Sequence, residues 1–89
     1  MDQTAQLEEI LSVCDKLGVL VRLAPLGGEG GGLCRIKGRT VLFVDSAADV
    51  GTRLQRAVEA VAELDGIDEQ YLPPELREAI DRVRAGQGG

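Results

Sequence analysis

Residues 33–45, LCRIKGRTVLFVD, contain the pattern that decides the fold. Two runs rich in aliphatic and β-branched side chains, residues 33–36 and 41–44, flank the short polar segment 37–40, which contains Gly38. Two such runs joined by a short connection with a glycine in it are typical of a β-hairpin. The second run is apolar at four successive positions. We therefore expect it to be covered on both faces and to lie at the centre of a sheet.

The chain before the hairpin has a helical pattern and then an extended one. Residues 4–17 carry an apolar side chain every three or four positions, which predicts an amphipathic helix that is capped by Asp2 or Thr4 and ends at Gly18. Residues 19–24 are mostly aliphatic and β-branched, which favours a strand. This segment supplies the third strand of the predicted sheet.

The chain after the hairpin returns to helical spacing. Residues 50–64 place apolar side chains on one stripe, and Gly66 follows as the expected end of this helix. Ser46 and Asp49 resemble a capping box at its start. The pair Pro73-Pro74 introduces a third helix, because proline is tolerated in the first turn.

These segments predict an α+β domain with the order α-β-β-β-α-α. We expect a small three-stranded, mainly antiparallel sheet packed by three helices, with a single domain over residues 1–85 and a flexible C-terminal tail over residues 86–89. Only 2% of the residues are aromatic, so the core must be largely aliphatic. The residues expected to be largely buried are Leu7, Ile10, Leu11, Leu17, Val21, Leu23, Ile36, Val41, Phe43, Leu54, Val58, Val61, Leu64 and Ile80.

The charge of the chain argues against two classes of partner. Fifteen acidic and ten basic residues give a net charge of −5 among 89 residues. Nucleic-acid binding depends on clustered Lys and Arg that neutralise phosphates, and an acidic surface is repelled by anionic membranes. We therefore expect neither nucleic acid nor membrane as a partner. The first residues lack the basic and apolar segments of a secretion signal, which favours a cytoplasmic location.

The residues that usually carry catalysis or bind metal are few. The chain has no histidine and two cysteines, Cys14 and Cys34, which in a reducing compartment are expected to be free thiols. Cys14 lies on the apolar stripe of the first helix, and Cys34 alternates with Leu33 and Arg35 in a strand, where it is also a candidate for burial. Two thiolates do not complete a tetrahedral zinc site. We predict no catalytic residue, no bound metal and no cofactor, and hence no enzymatic activity.

A glycine-rich run precedes the hairpin and is the candidate contact loop. It fails the spacing of the Walker and dinucleotide-binding motifs, and it leads into a strand where those motifs lead into a helix. Two interpretations remain: a flexible or tightly folded connection between strands, or a loop that contacts a protein or a small ligand. Its residues are Gly27, Gly28, Glu29, Gly30, Gly31 and Gly32.

Asp45 is the best placed of the carboxylates. It stands at the end of the predicted central strand, next to Ser46, where a side chain could project into a site. An acidic residue immediately before a helix more often caps it, and we expect Asp45 to act as a cap.

Residues 38–45, followed by the helical segment 53–64, resemble the hairpin and helix of ImmA/IrrE-type zinc metallopeptidases. In that family the helix carries HExxH, whose histidines bind zinc and whose glutamate activates water. This sequence has Val61 and Asp65 where the histidines would align and Ala62 where the glutamate would stand. The resemblance covers residues 38–65 and implies a zincin-like scaffold in which the metal site is absent.

Small size and two exposed sheet edges lead us to expect a non-enzymatic protein-interaction module, most simply a homodimer that associates through a sheet edge or through an apolar helix face next to the glycine-rich run. We do not expect three short helices to cover both faces of the sheet, so a second copy would cover residues 41–44. Valine at Gly30 and Gly31 is expected to weaken association more than the fold. Two hypotheses from other classes stay open: a small-ligand-binding or regulatory domain that uses the glycine-rich run, and an enzyme that uses carboxylates or Cys34.

Overall fold

The computed structural model of the chain describes residues 1–87. These residues form the predicted order of elements, and the α+β class is confirmed. The helix α3 includes residues 86 and 87 of the predicted tail, whereas residues 88 and 89 lie outside the described part of the chain. The elements are α1 (Gln3–Lys16), β1 (Leu20–Ala24), β2 (Gly31–Ile36), β3 (Arg39–Asp45), α2 (Val50–Val61), a 3₁₀ turn (Ile67–Glu69) and α3 (Pro74–Gln87).

The strands β2 and β3 form the predicted hairpin. Lys37 and Gly38 connect them with φ angles of 50° and 79°. Positive φ at both central residues is typical of a type I′ turn, whose twist matches that of the flanking strands. The register places Leu33 opposite Leu42 and Cys34 opposite Val41.

The sheet is mixed, with the order β1-β3-β2. The expected central position of β3 is confirmed. Of the two pairings, β2 with β3 is antiparallel and β1 with β3 is parallel, so the sheet is less antiparallel than we expected. The reason is the path of residues 25–30, which carry the chain from one edge of the sheet to the other across the end of β3. We call residues 25–30 the crossover.

All three helices contribute to one apolar cluster on one face of the sheet. Leu42 and Val44 of the central strand belong to this cluster, together with Ile10 of α1, Val58 of α2 and Ile80 of α3. Side chains of a strand alternate between its two faces. Val41 and Phe43 therefore lie on the other face, and neither is part of the cluster. We call the two sides of the sheet the covered face and the open face.

Half of the predicted core is buried, and two of its members are exposed. Leu23 is 67% exposed and Ile36 is 43% exposed, so their predicted burial is wrong. The suggested burial of Cys34 is wrong too, whereas Cys14 is buried as expected. Leu23, Ile36 and Cys34 lie on edge strands, which have a neighbouring strand on one side only. Five further residues are half-buried: Leu11, Leu17, Val21, Phe43 and Leu64.

The helix ends are set by aspartates and glycines. The carboxylate of Asp2 accepts the N–H of Ala5 at 2.7 Å and caps α1, and Gly18 follows it with φ 77°. Asp49 caps α2 by accepting the N–H of Thr52 at 2.8 Å. The predicted capping box beginning at Ser46 is therefore wrong. Since α2 ends at Val61, its last predicted turn is also absent.

Candidate functional site

The crossover is an ordered connection that passes over the end of β3. Four glycines in or next to it adopt positive φ, namely Gly27 and Gly28 at 91°, Gly30 at 98° and Gly31 at 99°. Residues with a Cβ rarely adopt these angles. The glycine-rich run thus allows a tight path from β1 to β2, in agreement with the interpretation of the run as a tightly folded connection.

Asp45 is the residue that fixes the crossover. Its side chain is fully buried, and its Oδ1 accepts the N–H of Leu26 at 2.8 Å and that of Ala47 at 2.9 Å. Its Oδ2 accepts the N–H of Gly30 at 3.1 Å. One carboxylate therefore binds both ends of the crossover and the turn before α2. The predicted role of Asp45 as a helix cap is wrong, because Asp49 performs it.

These hydrogen bonds also set the charge of Asp45. Burial alone would raise the pKa of this carboxyl, but the N–H groups of Leu26, Gly30 and Ala47 stabilise the charged form and lower the pKa to about 2. Asp45 is therefore ionised at neutral pH. A carboxylate that is fully buried and already accepts several hydrogen bonds is suited to holding a loop and poorly suited to exchanging protons with a substrate.

Two arginines of α2 bind the same region through backbone oxygens. Arg53 Nε donates to the carbonyl oxygens of Asp45 at 3.0 Å and Ala48 at 2.9 Å. Arg56 Nε donates to the carbonyl oxygen of Glu29 at 3.0 Å. Arg53 thus stabilises the turn between β3 and α2, and Arg56 connects the crossover to α2.

The backbone lies too close to its neighbours for side chains at Gly30, the last residue of the crossover, and at Gly31, the first residue of β2. A Cβ at Gly30 would lie 2.5 Å from Cγ of Arg56 and 3.1 Å from the carbonyl oxygen of Thr52. A Cβ at Gly31 would overlap the backbone carbonyl of Phe43. Valine at these positions is therefore expected to damage the fold itself, which reverses our expectation that association would suffer more.

The remaining glycine of the run, Gly32, differs from the others. It lies within β2 opposite Phe43, on the open face, and a Cβ built on it meets no atom within 4 Å. A cleft of about 320 Å³ lies here, which we call the Gly32 cleft. It is lined by Leu26, Glu29, Gly31, Gly32 and Phe43.

The open face carries an apolar surface around this cleft. Cys34 and Ile36 of β2 are exposed on it, and Leu20 of β1 and Phe43 of β3 are half-buried. Val41 in their midst is only 3% exposed, because Leu20 and Cys34 flank it on the neighbouring strands. The sequence indicated apolar residues here but could not show that all three helices pack on the other side.

A second cleft, of about 450 Å³, lies at the opposite end of the sheet. Leu17 and Leu64 line it, as do the charged residues Arg35, Glu63 and Asp65. The guanidinium of Arg35 already donates to the hydroxyl of Thr40 at 3.1 Å and to the carbonyl oxygen of Gly38 at 3.2 Å. This arginine therefore stabilises the hairpin turn.

The described residues contain no group of three or more His, Cys, Asp or Glu side chains placed to hold a metal ion. Val61 is the last residue of α2 and Asp65 lies in the turn after it, so the two positions that would align with the histidines of HExxH do not share a helix. Within residues 1–87, we find no helix with the length and apolar character needed to cross a bilayer.

Comparison of the chain with protein-family models, with curated proteins and with solved structures gave no match.

Proposed function

We propose that this chain is a small non-enzymatic protein-interaction module that self-associates as a homodimer through the open face of its sheet. The observation that carries the proposal is the one-sided packing of the helices. They cover Leu42 and Val44, while Val41 and Phe43 of the same central strand lie on a face against which none of the helices within residues 1–87 packs. A sheet face of this kind is stabilised when a second surface removes it from water.

The composition of the open face supports this proposal. Apolar side chains from all three strands are contiguous on it, and exposed apolar surface of this kind often marks an interaction site. Ile36 is 43% exposed at one end of the face, and Leu26 is 41% exposed at the other. A second copy is the simplest partner, because two-fold dimers are the commonest closed assembly.

The surroundings of Asp45 and Cys14 support the non-enzymatic part of the proposal. The carboxylate of Asp45 is occupied by backbone N–H groups, and burial raises the pKa of the Cys14 thiol to about 11. A thiol with such a pKa is protonated at neutral pH and is a poor nucleophile.

Sedimentation equilibrium of the wild-type chain and of two variants tests the proposal. Ile36→Glu places a charge on the open face and is expected to give a monomer with an unchanged circular dichroism spectrum. Tyr71→Glu is the matched control, because Tyr71 is 81% exposed and lies in the connector before α3, outside the three strands. A wild-type monomer at high micromolar concentration would overturn the proposal, as would an Ile36→Glu variant that dimerises like the control.

A small-ligand-binding domain is the alternative, and one observation favours it. The Gly32 cleft borders the glycine-rich run, and its volume of about 320 Å³ lies at the lower end of the range found for ligand pockets. In this case the wild-type chain stays monomeric and a ligand raises its melting temperature. Filling the cleft with Gly32→Val would then abolish the thermal shift.

A further inference from the structure

We propose that the Gly32 cleft of each copy receives the Arg22 side chain of a second copy, so that β1 of one chain lies over β2 of the other. This inference rests on the proposed function and specifies the arrangement of the dimer. It commits the open face to one occupant, a second copy of this chain, in one orientation.

The chemistry of the cleft suits a guanidinium group. An acidic residue, Glu29, and an aromatic one, Phe43, both line the cleft beside an open glycine, and Glu29 is exposed, so its side chain is free to reach a bound cation. Arginine pairs with carboxylates and packs on aromatic faces, and it does both more effectively than lysine. The ion pairs within residues 1–87 involve neither Glu29 nor Arg22, so both charges are available to a partner.

The register of the sheet places Arg22 at the same level as the Gly32 cleft. Arg22 of β1 pairs with Phe43 of β3, and Phe43 pairs with Gly32 of β2. The three residues therefore stand at the same level on three neighbouring strands, and their side-chain positions are on the open face. Arg22 and Gly32 lie on opposite sides of the central strand.

Symmetry then brings Arg22 to the cleft. Two sheets that pack face to face keep their strand directions within about 30° of each other. A two-fold axis that runs along the strands, between the two sheets, keeps every residue at its level and exchanges the two edges. Arg22 of the second copy is then placed over Gly32 of the first, beside Glu29, and the reciprocal contact forms at the other cleft.

The other two-fold arrangement is less favourable. An axis that runs across the strands stacks β1 on β1, which brings the two Arg22 side chains together when the axis lies at their level. It also brings Arg39, at the hairpin end of β3, toward Glu29 of the second copy. In the proposed arrangement Arg39 stays at the rim of the face, where solvent and salt screen its charge.

The arrangement also accounts for glycine at position 32. Gly32 lies inside a strand, where glycine weakens a sheet, and no positive φ requires it. Apart from its two neighbours in the chain, no residue among 1–87 has an atom within 4 Å of a Cβ at this position. Nothing within residues 1–87 of the single chain requires glycine at position 32. In the proposed dimer, glycine is required because it leaves room for the Arg22 side chain of the second copy.

Charge reversal measured by sedimentation equilibrium tests the inference. Arg22→Glu and Glu29→Arg are each expected to raise the dissociation constant of the dimer at least about tenfold, and the double variant is expected to restore most of the loss. Arg82→Glu and Glu8→Arg change the net charge equally at exposed helix positions, and they are expected to leave the dimer unchanged. Gly32→Val is expected to weaken the dimer while the melting temperature of the monomer is kept.

The possible outcomes separate the inference from the proposed function. A dimer that Ile36→Glu disrupts, but that neither single reversal weakens, overturns the orientation and leaves self-association in place. Rescue of Glu29→Arg by Arg39→Glu, without rescue by Arg22→Glu, overturns it in favour of the axis across the strands. A wild-type chain that stays monomeric overturns both the inference and the proposed function. This holds even if the open face binds a different protein.

Discussion

The two faces of the sheet share one central strand and have different surroundings. On the covered face, Leu42 and Val44 pack into a cluster formed by all three helices. On the open face, Phe43 is half-buried beside a glycine that leaves a cleft. Both faces are apolar, so hydrophobicity alone does not distinguish the core from a contact surface. The difference lies in which face has helices to cover it, and this leads to different expectations for neighbouring residues.

Gly31 and Gly32 are adjacent and give the largest expected contrast. Gly31→Ala introduces a Cβ that overlaps the backbone at Phe43 and must adopt a φ of 99°, so we expect a loss of more than about 3 kcal/mol in the free energy of unfolding. Gly32→Ala has open space and ordinary φ, and we expect a change of less than about 1 kcal/mol. Urea denaturation of both variants measures the contrast. Equal losses would mean that the backbone at Gly31 does not approach β3 as closely as the structure shows.

Leu42 and Phe43 compare the two faces within one strand. Leu42→Ala creates a cavity in the helix-covered core and is expected to lower the free energy of unfolding by about 2–5 kcal/mol. Phe43→Ala is expected to cost less, about 1–2 kcal/mol for the monomer, because its ring is only half-buried. This value is below the roughly 3–5 kcal/mol that a fully buried phenylalanine would give. Denaturation at low protein concentration, where the monomer dominates, checks the order. A larger loss for Phe43→Ala would show that the open face is covered within the monomer.

Asp45 connects the crossover to the sheet and makes stability depend on pH. Asp45→Asn keeps the size of the side chain but replaces one accepting oxygen with an amide, so at least one buried N–H loses its acceptor. We expect the melting temperature at pH 7 to fall by about 5–10 °C. Glu8→Gln, an exposed change on α1 that removes one negative charge as Asp45→Asn does, serves as a control for altered charge. A melting temperature within 1 °C of the wild type, on the order of experimental error, would show that Asp45 does not hold the crossover.

The direction of the pH dependence follows from the lowered pKa of Asp45. Folding lowers it from 3.8 to about 2, so its contribution to stability is fully present above pH 3.8 and is lost as the pH falls through 2. The wild-type chain is therefore expected to lose more stability between pH 5 and pH 2 than Asp45→Asn. Thermal unfolding of both proteins across this range measures the difference, and parallel curves would contradict it.

The smallest expected effect is a difference in the alkylation of the two cysteine thiols, which does not involve the stability of the fold. Burial raises the pKa of Cys14 to about 11, whereas Cys34 is exposed on the open face. Iodoacetamide is expected to modify one thiol in the native protein, at Cys34, and the second only after unfolding. If the open face is the dimer interface, labelling of Cys34 slows as protein concentration rises. Mass spectrometry at two concentrations measures both effects, and a rate independent of concentration would place Cys34 outside the interface.

Much of the local structure was predictable from short-range patterns. The hairpin follows from two apolar runs around Gly38, and the helix ends at Asp2 and Gly18 follow from residue types that cap helices. The burial of edge-strand residues was predicted less well. Leu23 and Ile36 fit the apolar pattern but are exposed, because they lie on edge strands, which have a neighbouring strand on one side only.

The glycine-rich run was recognised, and a tightly folded connection was one of its two predicted roles, the other being a contact loop. The residue that holds it was not predicted, because an aspartate immediately before a helix favours a cap and Asp45 was assigned that role. The contact between them joins residues 15 positions apart, Gly30 and Asp45, and exists only because the chain crosses the end of β3. No local pattern encodes that path.

The sequence by itself determined the helices, the hairpin, the central position of β3 and the α+β class, because these depend on side-chain periodicity and turn chemistry over a few residues. Only the tertiary structure decided that β1 runs parallel to β3, that Asp45 binds the crossover, and that the helices leave one face of the sheet open. These features arise from contacts between segments that are distant in the chain. Similar apolar side chains are placed in a core or on a surface according to where the helices pack.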